Sequence, residues 1–290
     1  MSAYVFPGQG AQKRGMGAAL FNTVPEFTAV EAEIDHMLGY SIRQLCLENP
    51  GDRLSDTRYA QPALYVVNAL HYYSAVRSGG PARLVAGHSL GEYNALLAAG
   101  AFSFMTGLRI VKRRGELMST ARGGAMAAVV GLRPARVMEV LESSGLEDLD
   151  VANYNSPLQT VISGPAAAIT RAAPIFERAG AQLYLPLAVS GAFHSRYMRE
   201  AAGMFAQFLL GIPFGPLAIP VISNVTGAPY PAGRDTEAIR DLLTRQITQP
   251  VQWTRSVQYL LNHEGGPCQE VGPGDVLSRL IQQIRTAADS

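Results

Sequence analysis

The feature that most constrains the fold is the pentapeptide Gly-His-Ser-Leu-Gly at residues 87–91. An apolar run typical of a short strand precedes it at residues 84–86, and a helix-forming run follows at residues 92–99. This context fits G-x-S-x-G, in which a strand turns into a helix so tightly that a Cβ two positions either side of the serine would collide. Such a turn lifts the hydroxyl of Ser89 out of a sheet and places it at a helix N-terminus, where the helix dipole favours negative charge. The alternative interpretation is a glycine-rich turn that carries an ordinary serine.

Strands and helices alternate along most of the chain, which predicts an α/β fold with a mostly parallel sheet covered on both faces. Besides the run at 84–86, strands are predicted at residues 3–6 and 219–223. Helices are predicted at residues 26–38, 42–48, 63–76, 92–99, 106–118, 199–210, 236–246, 251–262 and 276–284.

The order of predicted strands and helices changes between residues 123 and 187. Here the pattern predicts strands at 126–131, 150–154, 159–163 and 182–187, with helices at 134–143 and 166–179. The order β-α-β-β-α-β is that of a ferredoxin-like unit. We therefore expect an inserted subdomain at residues 123–187 and a discontinuous larger domain at residues 1–122 and 188–290.

Composition narrows the classes of function. The 290 residues carry 24 Lys+Arg against 23 Asp+Glu, so no global charge favours nucleic acid or an anionic membrane. The two cysteines, Cys46 and Cys268, lie far apart in no metal-ligand spacing and are expected to be buried thiols. With no basic leader and no long apolar run, we expect a soluble cytoplasmic protein without a metal site.

A serine nucleophile needs a base, and His194 is the strongest candidate among the five histidines. It lies in a loop of small residues directly after the predicted insert. Three of the others are expected to be structural or exposed: His36, His71 and His263. The fourth, His88 of the pentapeptide, is expected to point away from the serine hydroxyl.

A catalytic triad would also require an acid between Ser89 and His194 in chain order. Asp148 and Asp150 occupy that interval, but both fall in the predicted insert and have no distinguishing context. A Ser–His dyad is therefore favoured, with the second imidazole nitrogen held by a carbonyl oxygen.

Seven motifs, which run in order from one end of the chain to the other, give the sequence a close resemblance to a known family. They are Pro-Gly-Gln-Gly at 7–10, Gly-His-Ser-Leu-Gly-Glu at 87–92, Lys-Arg-Arg-Gly-Glu-Leu-Met at 112–118, Asn-Tyr-Asn-Ser-Pro at 153–157, Ala-Phe-His-Ser at 192–195, Gln-Ile-Thr-Gln-Pro-Val-Gln-Trp at 246–253 and Gly-Pro-Gly at 272–274. Together they resemble the malonyl-CoA:acyl carrier protein transacylases, and most of all the discrete acyltransferases that serve polyketide synthases in trans. The resemblance implies an α/β-hydrolase-like large domain with an inserted ferredoxin-like small subdomain.

The resemblance also implies the roles of the reacting groups. Ser89 would form the acyl-enzyme and His194 would be its base. Gln9 and the backbone N–H of Leu90 would donate to the oxyanion, and the carbonyl of Gln246 would orient the histidine.

Substrate selection would fall to a second set of residues. Arg114 matches the arginine that pairs with the malonyl carboxylate, a group that a guanidinium can grip with two hydrogen bonds. Phe193, directly before the histidine, goes with malonyl in the family because its ring fills the space of an α-methyl group. Met118 and Asn153 would line the same pocket, and Gly191 departs from the bulkier residue usual at its position.

The implied reaction is ping-pong transfer of malonyl from malonyl-CoA to the phosphopantetheine thiol of an acyl carrier protein, for polyketide or fatty-acid synthesis. The carrier brings the phosphopantetheine, and no enzyme-bound cofactor is expected. We also expect a monomer, with basic residues such as Arg58 or Arg255 on the rim to assist docking. The alternatives are an acyl hydrolase that releases stalled acyl groups from carrier proteins, and a non-catalytic docking module.

Overall fold

Two four-stranded sheets organise the molecule, and the predicted nucleophile follows a strand of the first. The structure is a computed structural model that describes residues 3–231, 236–264 and 267–288. The strands are, in chain order, β1 (Ala3–Phe6), β2 (Val85–Gly87), β3 (Gly124–Val130), β4 (Asp150–Ser156), β5 (Gln159–Pro165), β6 (Leu183–Pro186), β7 (Val221–Ile222) and β8 (Cys268–Glu270).

Helices cover these sheets. They are, in chain order, α1 (Pro25–Thr28), α2 (Glu31–Leu38), α3 (Ile42–Glu48), α4 (Thr57–Gly79), α5 (Gly91–Ala98), α6 (Phe104–Thr120), α7 (Pro134–Ser143), α8 (Ala166–Arg178), α9 (Arg199–Leu210), α10 (Thr236–Gln246), α11 (Trp253–Glu264) and α12 (Val276–Ala288). Short 3-10 helices occupy Pro50–Ser55 and Arg196–Met198.

The first sheet is parallel throughout, in the order β7-β2-β1-β8. Alternate residues of β1 belong to different cores because successive side chains point to opposite faces. Tyr4 and Phe6 lie in the main core with α4, whereas Ala3 and Val5 pack with α11 and α12. Helices therefore bury both faces of this sheet, as the predicted α/β class requires.

The second sheet is antiparallel, in the order β4-β5-β3-β6. One face, which includes Ala127 and Val129 of β3, packs against α7 and α8. The alternate residues Met126 and Ala128 join the main core instead. The second sheet thus presents its other face to the part of the molecule that holds the nucleophile.

Several predicted boundaries were wrong. The predicted helix at residues 63–76 begins earlier, at Thr57, and runs through Pro62, because the Asp56 side chain accepts a hydrogen bond from the backbone of Arg58 and caps the helix there. The helix predicted at residues 26–38 is two helices, and the strand predicted at 219–223 is only Val221–Ile222. Strand β8 was not predicted, since its three residues have no apolar alternation.

Neither a membrane-spanning helix nor a metal site is found among the described residues. Among their helices, none combines the length and apolarity needed to cross a bilayer. No group of three His, Cys, Asp or Glu side chains there is arranged to hold a metal ion. Cys46 is buried as expected, whereas Cys268 is only partly buried.

Candidate active site

Ser89 stands at the turn between β2 and α5 in a left-handed backbone conformation, with φ of 50°. The flanking glycines leave no room for a side chain. A Cβ on Gly87 would lie 1.9 Å from the carbonyl carbon of Gly91, and one on Gly91 would lie 2.0 Å from the backbone oxygen of Phe6. The strain at the serine therefore follows from a turn that only glycine permits on either side.

Asn224 holds this turn from the loop after β7. Its Oδ1 accepts from the backbone N–H of Ser89 at 2.6 Å, and its Nδ2 donates to the carbonyl of Gly87 at 2.6 Å. Sequence reasoning missed this residue. An asparagine directly after a buried strand was the only available signal, and its partners lie 135 and 137 residues away.

His194 lies next to the serine. Its Nε2 is 2.8 Å from Ser89 Oγ, and its Nδ1 is 2.7 Å from the carbonyl oxygen of Gln246. Since a carbonyl only accepts, Nδ1 carries the proton and Nε2 is left to accept from the serine hydroxyl. Burial, assisted by the positive charge of Arg114, lowers the pKa of His194 to about 3, so the imidazole is neutral at physiological pH.

The acids considered from the sequence are engaged elsewhere. Asp150 binds Arg196, and Asp148 forms an ion pair with Arg171 at 3.1 Å. The geometry is that of a dyad oriented by a carbonyl.

Arg114 is completely buried beside the nucleophile, whereas its neighbour Arg113 is on the surface near Glu116. Its Nη1 donates to Gln61 Oε1 at 2.8 Å, and its Nη2 is within 3.2 Å of Ser89 Oγ. Its guanidinium also lies over the ring of Tyr93, 5.4 Å from the centroid. Burial lowers its pKa. Every group that is hydrogen-bonded to Arg114 is neutral, so its positive charge can bind an anion next to the serine.

Gln246 joins these groups through its side chain as well as its carbonyl. Its Oε1 accepts from Arg114 Nη2 at 3.1 Å, while its Nε2 donates to the backbone oxygen of Ser89 at 2.9 Å and to Glu92. Glu92, which sequence reasoning also missed, is fully buried in the first turn of α5, and burial raises its pKa to about 7. Its position in the Gly-His-Ser-Leu-Gly-Glu motif was the signal.

The two expected oxyanion donors, Gln9 and Leu90, differ in where their side chains lie. The Gln9 side chain lines the cavity, but its Nε2 donates to Thr57 Oγ1 at 3.0 Å. The Leu90 side chain is buried in the core and its backbone opens α5. Within residues 3–231, 236–264 and 267–288, neither backbone N–H has a hydrogen-bond acceptor. Both are therefore available to a developing negative charge.

A cavity of about 460 Å³ opens onto Ser89, and its wall combines the segments that follow β1 and β2 with residues of the second sheet. Met118, Asn153 and Phe193 all line it, and all three are buried. A Cβ on Gly191 would come within 2.5 Å of the Phe193 ring, so the glycine leaves space for that ring. Seven of the nine predicted site residues therefore line one cavity, Gln246 bonds three of them from behind and Leu90 directly follows the serine. Arg58 and Arg255 do not line the cavity.

His88 also lines this cavity, although the sequence suggested only that it would avoid the serine hydroxyl. Its Nε2 is 2.8 Å from Asn155 Oδ1, and its ring meets Trp253 edge-on. The Nε2 of His88 is thus bonded to an amide of β4, in the second sheet.

Comparison with known proteins gives a consistent result. The family model described as "Acyl transferase domain" matches residues 3–288. The polyketide biosynthesis malonyl CoA-acyl carrier protein transacylase PksC of Bacillus subtilis (strain 168) is 50% identical over 100% of this chain and 99% of its own length. This chain spans only 37% of the polyketide biosynthesis protein PksE from the same strain, also 50% identical, and 24% of ThaF from Burkholderia thailandensis, 51% identical.

Solved structures agree with the sequence relatives. Malonyl CoA-acyl carrier protein transacylase from Burkholderia pseudomallei superposes with a TM-score of 0.91 at 48% identity, over 99% of this chain and 98% of that one. A malonyl-transacylase in complex with its type II PKS acyl-carrier protein superposes with a TM-score of 0.91 at 38% identity, over 98% and 93% of the two chains.

Proposed function

The chain belongs to the acyl transferase domain family, and on that premise we propose that it transfers malonyl from malonyl-CoA to the phosphopantetheine thiol of an acyl carrier protein. The observation that carries the proposal is Arg114, a buried guanidinium 3.2 Å from Ser89 Oγ with only neutral hydrogen-bond partners. Burying an unpaired charge is costly, and a carboxylate on the substrate supplies the missing partner. PksC and the Burkholderia pseudomallei protein, both named malonyl CoA-acyl carrier protein transacylases, support the same substrate.

The first half-reaction forms a malonyl ester on the enzyme. His194 Nε2 takes the proton from Ser89 Oγ, which attacks the thioester carbonyl. The oxygen of the tetrahedral intermediate then accepts from the backbone N–H groups of Gln9 and Leu90; losing one such donor typically costs about 2.7–4 kcal/mol. As the carbon–sulfur bond breaks, the imidazolium returns the proton to the departing CoA thiolate.

The second half-reaction reverses these steps with a different thiol. His194 takes the proton of the carrier's phosphopantetheine thiol, and the sulfur attacks the malonyl ester. When the carbon–oxygen bond breaks, Ser89 recovers its proton. The result is ping-pong transfer that needs no bound cofactor or metal.

The cavity wall supports a preference for malonyl over larger acyl groups. Phe193 is buried beside the base, so an α-methyl group would compete with its ring. Met118 and Asn153 bound the same space. One methyl group is generally worth only about 1–3 kcal/mol, so this selection is a preference.

We further propose the finer description of the fold and setting. The large domain, residues 1–122 and 188–290, is α/β-hydrolase-like, and residues 123–187 form a ferredoxin-like insert, which the strand order β4-β5-β3-β6 supports. The protein acts in the cytoplasm as a monomer with no nucleic-acid partner. The polyketide relatives favour service to a polyketide synthase.

Intact-mass measurement tests the proposal. After mixing with malonyl-CoA, the protein should gain one malonyl group, and holo acyl carrier protein should remove it and carry it. Ser89→Ala should abolish the adduct. Rapid release of free malonate, whether or not carrier is present, would instead establish the acyl hydrolase; Arg114 argues against that activity because an unfunctionalised acyl chain has no carboxylate to pair.

A further inference from the structure

Glu92 is a completely buried carboxylate that takes no part in the steps above. It lies in the first turn of α5, three residues after the nucleophile, and both of its oxygens accept hydrogen bonds. Oε1 accepts from the Tyr230 hydroxyl at 2.5 Å and from the backbone N–H of Asn224 at 3.2 Å. Oε2 accepts from Gln246 Nε2. A buried carboxylate with three donors is anchored from two separate segments of the chain.

The amide of Gln246 separates Glu92 from Arg114. Burial raises the pKa of Glu92 to about 7, so above that pH the group is ionised and can only accept hydrogen bonds, while a guanidinium can only donate them. The amide therefore has one acceptable orientation, with Nε2 toward Glu92 and Oε1 toward Arg114 Nη2 at 3.1 Å. The reverse orientation would set an NH2 group against the guanidinium.

Charge reinforces this arrangement. Glu92 offsets the buried positive charge of Arg114, yet it lies on the far side of Gln246 and makes no direct hydrogen bond to the guanidinium. Glu92 therefore lowers the cost of burying the guanidinium without pairing with it directly, and the side of Arg114 toward Ser89 stays open to the substrate carboxylate.

We infer that Glu92 is a positioning residue for substrate selection, which fixes the Gln246 amide and through it the orientation of Arg114 toward the acyl carboxylate. The inference rests on the proposed function, because it assumes that Arg114 binds malonyl. Glu92 itself does not line the cavity and acts on Arg114 only through Gln246.

Glu92→Gln is the direct test. The new amide keeps an oxygen for Tyr230 and Asn224, but turns an NH2 group toward Gln246. Gln246 then has to turn its oxygen toward position 92, which breaks its bond to the backbone oxygen of Ser89 and sets its NH2 against Arg114, so the guanidinium is displaced. At pH 8, where the wild-type carboxylate is ionised, we expect the KM for malonyl-CoA to rise at least tenfold and the malonyl/acetyl ratio of kcat/KM to fall by a similar factor, with kcat/KM for acetyl-CoA within about threefold of wild type.

Tyr230→Phe is the matched control. It removes a donor from the other oxygen of the same buried carboxylate and leaves the bond to Gln246 in place. Its thermal stability should drop comparably while the malonyl/acetyl ratio stays at the wild-type value.

The outcomes separate the inference from the proposed function. Equal losses for both acyl-CoA substrates in Glu92→Gln, with the ratio kept, would overturn the inference. A wild-type protein that forms no malonyl adduct or shows no malonyl preference would overturn the proposed function instead. If Glu92→Gln does not fold, Gln246→Met cuts the same link from the other side; it should lower the ratio, and an unchanged ratio would overturn the inference.

Discussion

At the scale of single residues, the base and the nucleophile share an unusual backbone. Ser89 and His194 both adopt left-handed φ angles, 50° and 57° respectively, although neither is glycine. Strain of this kind persists only where surrounding contacts over-determine it. Here Asn224 holds the serine turn, and the carbonyl of Gln246 holds the imidazole. Both strained residues are thus fixed by groups distant in the chain.

Removal of Arg114 should change substrate choice. In Arg114→Ala the malonyl carboxylate loses its buried partner, while an acetyl group needs none, so kcat/KM for malonyl-CoA should fall roughly 30- to 1,000-fold and that for acetyl-CoA far less. The control is Arg113→Ala, since that neighbour lies on the surface. An unchanged malonyl/acetyl ratio would show that another group holds the carboxylate.

The pH dependence of acylation should reflect the lowered pKa of His194. The pKa is about 3 rather than 6.5 because the imidazole is buried and lies near Arg114. The base therefore stays neutral in mild acid, and single-turnover CoA release should remain flat from about pH 8 down to about pH 5. In Arg114→Ala the fall at low pH should shift to higher pH, since one charge that disfavours imidazolium is gone. A half-maximal rate near pH 6.5 in wild type would contradict this prediction.

At the scale of elements, strand β4 of the second sheet bonds to two segments that position the catalytic base, the loop after His194 and the segment after Gln246. Its first residue, Asp150, accepts from the backbone and side chain of Arg196, two residues after His194. Further along β4, Ala152 accepts from the backbone N–H of Val251, in the segment that follows Gln246. The inserted sheet thus helps to place the base as well as to line the cavity.

Asp150→Asn should slow chemistry without changing selection. Loss of the carboxylate loosens the loop after His194, so kcat for malonyl-CoA and for acetyl-CoA should fall together, by roughly three- to tenfold. Asp148→Asn is the control, because the side chain of Asp148 is hydrogen-bonded to Arg171 and not to Arg196. A changed acyl preference in Asp150→Asn, or an equal effect in the control, would contradict this role.

At the scale of the whole molecule, two buried groups make opposite contributions to the pH dependence of stability. The folded pKa of Glu92 is raised from 4.5 to about 7, so its contribution to stability is present below pH 4.5 and is lost as pH rises toward 7. The folded pKa of His194 is lowered from 6.5 to about 3, so its contribution makes the protein less stable as pH falls below 6.5.

Removing one of these groups should expose the other. In Glu92→Gln the free energy of unfolding should rise more steeply between pH 4.5 and 6.5 than in wild type, because the contribution of Glu92, which opposes that of His194, is gone. Denaturant unfolding at several pH values measures this slope. Parallel curves for the two proteins would mean that Glu92 does not titrate in this range.

Sequence and structure divide the candidate site between them. The sequence alone determined the serine turn and the β-α-β-β-α-β run, because both depend on local sterics and on side-chain periodicity. It also singled out His194 and, through the family resemblance, Arg114. It placed the start of α4 at residue 63 instead of at Thr57, where the Asp56 side chain caps the helix, and it missed β8.

Only the tertiary structure decided how the groups combine. Glu92, Asn224 and the side chain of Gln246 form one hydrogen-bonded network behind Ser89, although the serine is separated from Asn224 by 135 positions and from Gln246 by 157. No local pattern specifies such pairs, because their donors and acceptors meet only when the loop after β7 and the end of α10 pack beside the turn between β2 and α5. The turn that exposes the serine is determined by neighbouring residues, whereas the orientation of the base and of the arginine depends on packing between distant ones.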